Sequence, residues 1–276
     1  MKAANSRNCA AQELREINAS ILEFANQKEN RALQPKTRSY CTPFRGQLFG
    51  ESMQDAVATA LAQRRVDVLI LGANPNDSAD KDSINTKYRS LSEQMNTGFY
   101  SEAHWDDHGR PVAGWSPFTD GKPGWKFLLR AITRAGYSPQ SVAMANYLPW
   151  GSKDIEQFAA ATEPTLLRDV VDFADQLLIR IIQLLRPRVV IAPFSVTEGK
   201  HLRTSALVKH LARATHHRFN YAGKSRTMAF NVYSDVYNAG ATETILVHVR
   251  HPSSIRVKVE ALHGIEQQLA AVLSTR

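Results

Sequence analysis

From residue 66 onward the chain alternates between short apolar runs and longer stretches of helical periodicity. Val66-Asp67-Val68-Leu69-Ile70-Leu71 is a β-branched and leucine run interrupted only by Asp67, the pattern of a strand buried on both faces. Ser141-Val142-Ala143-Met144-Ala145-Asn146, Val189-Val190-Ile191-Ala192-Pro193-Phe194 and Thr244-Ile245-Leu246-Val247-His248-Val249 repeat that pattern. Between them, residues 124–135 place Phe127, Leu128, Leu129 and Ile132 on one helical face, with Gly136 in the C-cap position. Residues 165–185 carry the strongest helix, with Leu166, Val170, Phe173, Leu177, Ile181 and Leu184 at spacings of three and four and Pro187 as the stop. Further helices are predicted over residues 202–214 and 256–273, and the loose alternation of residues 226–233 predicts a strand near an edge. Strands separated by helices of this length imply a parallel sheet covered on both faces, an α/β three-layer sandwich with a central, mainly parallel sheet.

The first 64 residues fall outside this rhythm. A helix is predicted over residues 10–27, a polar, proline-bearing segment over 29–42, and a second helix over 53–63, so residues 1–64 read as a helical extension packing on a body formed by residues 65–276. Residues 77–123 show little periodicity but carry Tyr88, Phe99, Tyr100, Trp105, Trp115 and Phe118. A stretch of that length inside a compact domain usually has a function of its own. Its aromatics either close over a bound base or pack against the sheet; Phe99 and Tyr100 are the candidates for the first role.

Charge changes the picture more than composition does. The chain of 276 residues holds 34 Lys and Arg against 26 Asp and Glu, a net +8 with a pI near 9.6, which favours an anionic partner such as nucleic acid. Two cysteines are too few for a disulfide framework, a four-thiolate metal site or an iron-sulfur cluster. No apolar run approaches the length of a bilayer span and the N-terminus lacks the core of a signal peptide, so a soluble, unprocessed, cytoplasmic protein is expected, with no membrane and no obligate protein partner.

Four of the apolar runs end in polar or irregular segments: Gly72-Ala73-Asn74-Pro75, Asn146-Tyr147-Leu148-Pro149, Pro193-Phe194-Ser195 and His251-Pro252-Ser253-Ser254. In a parallel sheet all four lie along the carboxyl edge, where open α/β sheets bind ligands. The glycine pattern of a dinucleotide fold and the lysine of a P-loop are both missing. Gly72-Ala73-Asn74-Pro75 followed by His251-Pro252-Ser253 resembles the two signature motifs of the uracil-DNA glycosylase superfamily, and Asn146 matches that family's base-reading asparagine. The resemblance runs from about residue 66 to the C-terminus. The asparagine and histidine pair is most similar to the single-strand-selective monofunctional branch, with the mismatch-specific branch next. Asn76, where that family usually has glycine or tyrosine, and the segment 77–123 leave the identity of the base open.

The resemblance implies a monofunctional DNA glycosylase, without metal or organic cofactor, that hydrolyses the N-glycosidic bond of a flipped-out deaminated or modified pyrimidine and leaves an abasic site. Such a bond breaks with positive charge building on the sugar and negative charge on the base, so a positioned water and donors to the base oxygen are needed. Asn74 would hold the water through its side-chain carbonyl, His251 would donate to the departing base, and Asp77 would supply basicity that an amide lacks. Asn146 would read the base edge, with Gly72, Ala73 and Pro75 shaping the pocket. Ile255 would either fill the vacated stack or belong to the core face of the last helix, and Ser253, Ser254, Arg250, Arg256 and Lys200 would contact phosphate. Repair and defence against phage with modified DNA are both compatible with this chemistry. The alternatives are an inactive nucleic-acid-binding protein of the same fold and a hydrolase of free nucleosides.

Overall fold

The computed structural model describes residues 66–73, 123–138, 141–150, 155–192, 205–222, 227–249 and 259–275, together with parts of a helical segment between residues 12 and 29. The elements run β1 (Val68–Gly72), α1 (Pro123–Arg134), β2 (Val142–Asn146), α2 (Ile155–Ala160), α3 (Pro164–Leu185), β3 (Val189–Ala192), α4 (Ala206–Leu211), β4 (Thr215–Ala222), β5 (Thr227–Ala239), β6 (Thr242–Val249) and α5 (Val259–Ser274). The six described strands form one sheet in the order β2-β1-β3-β6-β5-β4. β2, β1, β3 and β6 are mutually parallel, and β5 and β4 run antiparallel to their neighbours.

The parallel strands are dry because period-two side chains meet helices on both faces. Leu69, Leu71, Ala143, Ala145, Val190 and Leu246 pack on one face with Val170, Ala174, Leu177 and Ile181 of α3. Val68, Ile70, Val142, Val189, Ile191 and Val247 pack on the other with Phe127, Leu128 and Ile132 of α1 and Ile265 and Leu269 of α5. The result is a helix-sheet-helix sandwich, an α/β fold with a mixed and mostly parallel sheet. Ile17, Ile21 and Ala25 are buried in the α3-side cluster, and Phe24 stacks on Phe173 with ring centroids 4.3 Å apart, so this part of the N-terminal segment packs against the body.

Local chemistry explains where the helices stop. Gly136, at φ 90°, closes α1: its N–H reaches the Thr133 carbonyl and that of Tyr137 reaches the Ile132 carbonyl, the two bonds of a Schellman cap. The start of α3 is capped by Glu163, whose carboxylate accepts from the N–H groups of Thr165 and Leu166 at 2.9 and 3.1 Å. At the other end Arg186 takes a left-handed conformation ahead of Pro187. On the α1 side, Arg130 and Arg134, one turn apart, clamp the buried Glu266 of α5 at 2.8 and 3.2 Å, which ties the two helices of that layer together.

The mainly parallel sheet has an antiparallel end: residues 227–233 of the expected strand belong to a longer one, β5, which hairpins into β6 through Gly240-Ala241, with Gly240 at φ 62° in the first turn position, where a II′ turn takes glycine. Strand β4 is an addition, because its polar positions mask the alternation of Phe219 and Tyr221. The helix expected over residues 202–214 is described as Ala206–Leu211, with the Ser205 hydroxyl accepting from the Val208 N–H at 3.2 Å as its N-cap.

Candidate functional site

The register of the parallel strands sets Gly72 of β1 directly opposite Asn146 of β2 at the carboxyl edge. Pairing continues past the strands, with the Tyr147 N–H donating to the Gly72 carbonyl at 2.7 Å and the Leu148 N–H to the Ala73 carbonyl at 2.9 Å. This adjacency requires a glycine. A Cβ at position 72 would stand 2.8 Å from the Asn146 Oδ1, so only the missing side chain allows the carboxamide to lie across β1. Asn146 is 4 % exposed, and its Nδ2 is buried without a hydrogen-bond partner among the described residues. A buried donor left unpaired costs about 1–3 kcal/mol, and folded proteins rarely tolerate one without a reason. The group is therefore a donor held ready for an acceptor.

Behind Asn146 the next side chain is fixed by a buried polar network. The Tyr147 hydroxyl donates to Asp175 of α3 at 2.8 Å, the Ser205 hydroxyl donates to the same carboxylate at 3.0 Å, and the Ala206 N–H donates to its second oxygen at 2.6 Å. Burial, and next the Asp175 charge, raise the Tyr147 phenol well above its ordinary pKa, so it remains a donor at any physiological pH. One carboxylate thus joins the end of β2, the middle of α3 and the start of α4. Trp150, fully buried, packs its ring near Phe24 and Phe173, which anchors the chain four residues beyond Asn146.

A histidine sits at the same edge. His248 of β6 is opposite Ala192 of β3, and its Nδ1 donates to the Ala192 carbonyl at 2.9 Å. Burial lowers its pKa, with the carbonyl bond opposing that shift in part, so the ring is neutral at pH 7. Among the described residues, no group of three His, Cys, Asp or Glu is placed to hold a metal ion, and no helix is long and apolar enough to cross a membrane.

Of the residues singled out by sequence, Gly72, Ala73 and Asn146 come together in this way. Asn74, Pro75, Asp77, Phe99, Tyr100, Lys200, Arg250, His251, Ser253, Ser254, Ile255 and Arg256 lie outside the described residues. Asp175, Tyr147, Ser205 and His248 were missed. His248 carried a signal, as a polar residue inside an apolar strand, but Asp175 did not, because an aspartate in a long helix ordinarily faces water. The chain matches no family model, and no curated protein is similar to it at a significant level.

Proposed function

We propose that this protein is a monofunctional DNA glycosylase that binds a flipped-out, deaminated or modified pyrimidine at the carboxyl edge of β1 and β2 and hydrolyses its N-glycosidic bond. The observation that carries this reading is the Asn146 carboxamide: buried, pressed against Gly72, and with its Nδ2 unpaired among the described residues. A pyrimidine edge offers a carbonyl acceptor for that donor, and the desolvated setting makes the bond worth more than it is in water. Asn74 follows Gly72 by two residues and His251 follows Val249 by two. On this reading Asn74 and His251 supply the water-holding amide and the donor to the departing base that the chemistry needs. An amide positions water without deprotonating it, so the chemistry depends on stabilising the leaving base, and a slow enzyme is expected.

Free nucleosides are the poorer substrate class. A mononucleoside carries no phosphate, whereas residues 199–234 contain seven of the 34 Lys and Arg and none of the 26 Asp and Glu. That block supplies +7 of the net +8 and leaves the remainder of the chain at +1, a distribution suited to a polyanion.

Oligonucleotides bearing uracil, 5-hydroxymethyluracil or modified cytosines, incubated with the protein and treated with alkali, test the reading through strand breaks at abasic sites. Asn146→Ala is expected to lower base release about 100-fold, the scale set by removing one donor to a developing anion. Its melting temperature should hold or rise, because the buried unpaired amide goes with it. Breaks at the wild-type rate in Asn146→Ala, or none on any base with the wild type, would remove the proposal.

A further inference from the structure

The sheet's antiparallel end has a face that the proposed pocket does not use. The last described pair between β5 and β6 is Val232 with Val249, yet β4 and β5 stay paired for five further rungs, to Ala222 opposite Thr227. At roughly 3.4 Å per residue this two-stranded ribbon runs ~17 Å past the end of β6, on the side from which residues 250–258 continue. Its two faces differ. Phe219, Tyr221, Phe230 and Val232 belong to the cluster that includes α5. On the other face α3 and α4 pack against β5, where Tyr237 and Ala239 join their cluster, and the residues nearer the tip, His216, Arg218, Asn220 and Asn231, are exposed.

Among the described residues the tip of that open face, from His216 and Tyr233 outward, carries no carboxylate; Asp235 is on the same face, two residues from Tyr233. The His216 and Tyr233 rings stack at 4.7 Å and 12°, and Tyr233 lies 5.6 Å from His248, so a row of rings crosses three strands from solvent to the buried edge of the sheet. His216 Nε2 and Asn231 Oδ1 are 3.0 Å apart, which fixes the Asn231 amide. Asp235, the nearest acid along β5, lies farther from the tip and faces His210 of α4 at 3.3 Å. Lys209 and Arg213, on α4 and the turn after it, are exposed and extend the cationic surface beside the ribbon. Lys209, Arg213, His216, Arg218 and Asn231 fall inside the acid-free block 199–234, which Asp235 bounds.

We infer that the open face of the β4–β5 ribbon, with Arg218 at its centre, binds the sugar-phosphate backbone of DNA, with β3 and β6 lying between it and the pocket at β1 and β2. Guanidinium, imidazole and amide groups on an exposed sheet face supply phosphate donors, and Asp235, the acid on that face, lies at its base beside His210. The inference rests on the DNA reading of the pocket for its partner, but not on the chemistry of base release. In the sheet order the ribbon is four to five strand spacings, ~20 Å or more, from β2, so backbone held there belongs to nucleotides farther along the strand than one delivered to Asn146.

Fluorescence anisotropy with a labelled, unmodified 20-mer oligothymidylate, and with a duplex of the same length, tests it across a salt series. The wild type is expected to bind with an affinity that falls linearly in log salt. Arg218→Glu should weaken binding at least tenfold and reduce the salt slope by about 1–2. Arg168→Glu on α3, an equal charge reversal at an exposed position outside the ribbon, should change affinity less than threefold. Equal losses in both variants, an unchanged affinity in Arg218→Glu, or no wild-type binding to either probe would each overturn the inference. Ribbon-dependent binding without base release would remove the glycosylase reading and leave this surface standing; base release with ribbon-independent binding would do the reverse.

Discussion

The sheet has two halves built on opposite terms. β2, β1, β3 and the end of β6 are covered by helices on both faces and hold their polar groups only at the carboxyl edge, where Asn146 stays buried and unpaired among the described residues. β4 and the adjoining end of β5 are packed on one face by the α5 cluster and expose Arg218, His216, Asn220 and Asn231 on the other. A low-dielectric, fixed scaffold suits a group that must hold its geometry without water, and an exposed, charged surface suits a long anion recognised over many contacts. On the proposed reading, recognition of the base and attraction of the backbone fall to different parts of one sheet, and a substitution in one is expected to spare the other.

The largest expected effect that separates the halves is Asp175→Ala. It removes the shared acceptor of Tyr147, Ser205 and the Ala206 N–H and should cost about 3–5 kcal/mol in urea denaturation. Arg218→Glu on the ribbon should stay within about 0.5 kcal/mol of wild type in the same measurement. If Asp175→Ala loses less than about 1 kcal/mol, the parallel half does not depend on that network.

Gly72→Ala is next. The added methyl meets the Asn146 Oδ1 at 2.8 Å, so the amide or the strand must shift, at about 1–3 kcal/mol of stability. Base release should fall further than Kd for unmodified DNA changes, because the lesion lies in the pocket and not on the ribbon. Parallel changes in both would mean that the two halves are not separable.

The smallest effect sits at the seam. His248 has a lowered pKa because it is buried, so below its ordinary value of 6.5 the unfolded chain takes up a proton that the folded chain refuses. The stability linked to this group is complete above that pH and declines as pH falls from it toward the depressed folded value, by up to about 1.4 kcal/mol per unit. Comparing thermal unfolding at pH 7.5 and 5.5 should show a smaller difference in His248→Gln than in wild type. An identical pH dependence would assign the acid sensitivity to other groups.

Much of the scaffold was legible from residue pattern, for reasons that differ between the halves. Val66-Asp67-Val68-Leu69-Ile70-Leu71 announced a buried strand because two covered faces demand apolar residues at every position. The helix ending at Leu185 was marked by its own spacing and by Pro187. β4 was hidden because His216, Arg218 and Asn220 occupy an open face, leaving only every second residue to report burial. The candidate site was legible in part: Asn146 and Gly72 stood out as strand ends, but nothing local tied either to the other.

The sequence by itself determined the four parallel strands β1, β2, β3 and β6 and the helices α1, α3 and α5, the acid-free block of residues 199–234, and the polar character of the strand ends. Each follows from side-chain chemistry within a few residues. The tertiary structure alone decided that β1 and β2 are neighbours in a register that lays the Asn146 amide over Gly72. It also decided that Asp175 is turned inward to three donors, and that residues 215–222 and 227–234 of the basic block pair as a ribbon with one exposed face. Crossovers and layer packing set those relations between residues about 30 to 75 positions apart, and pairing at that range leaves no local periodicity to read.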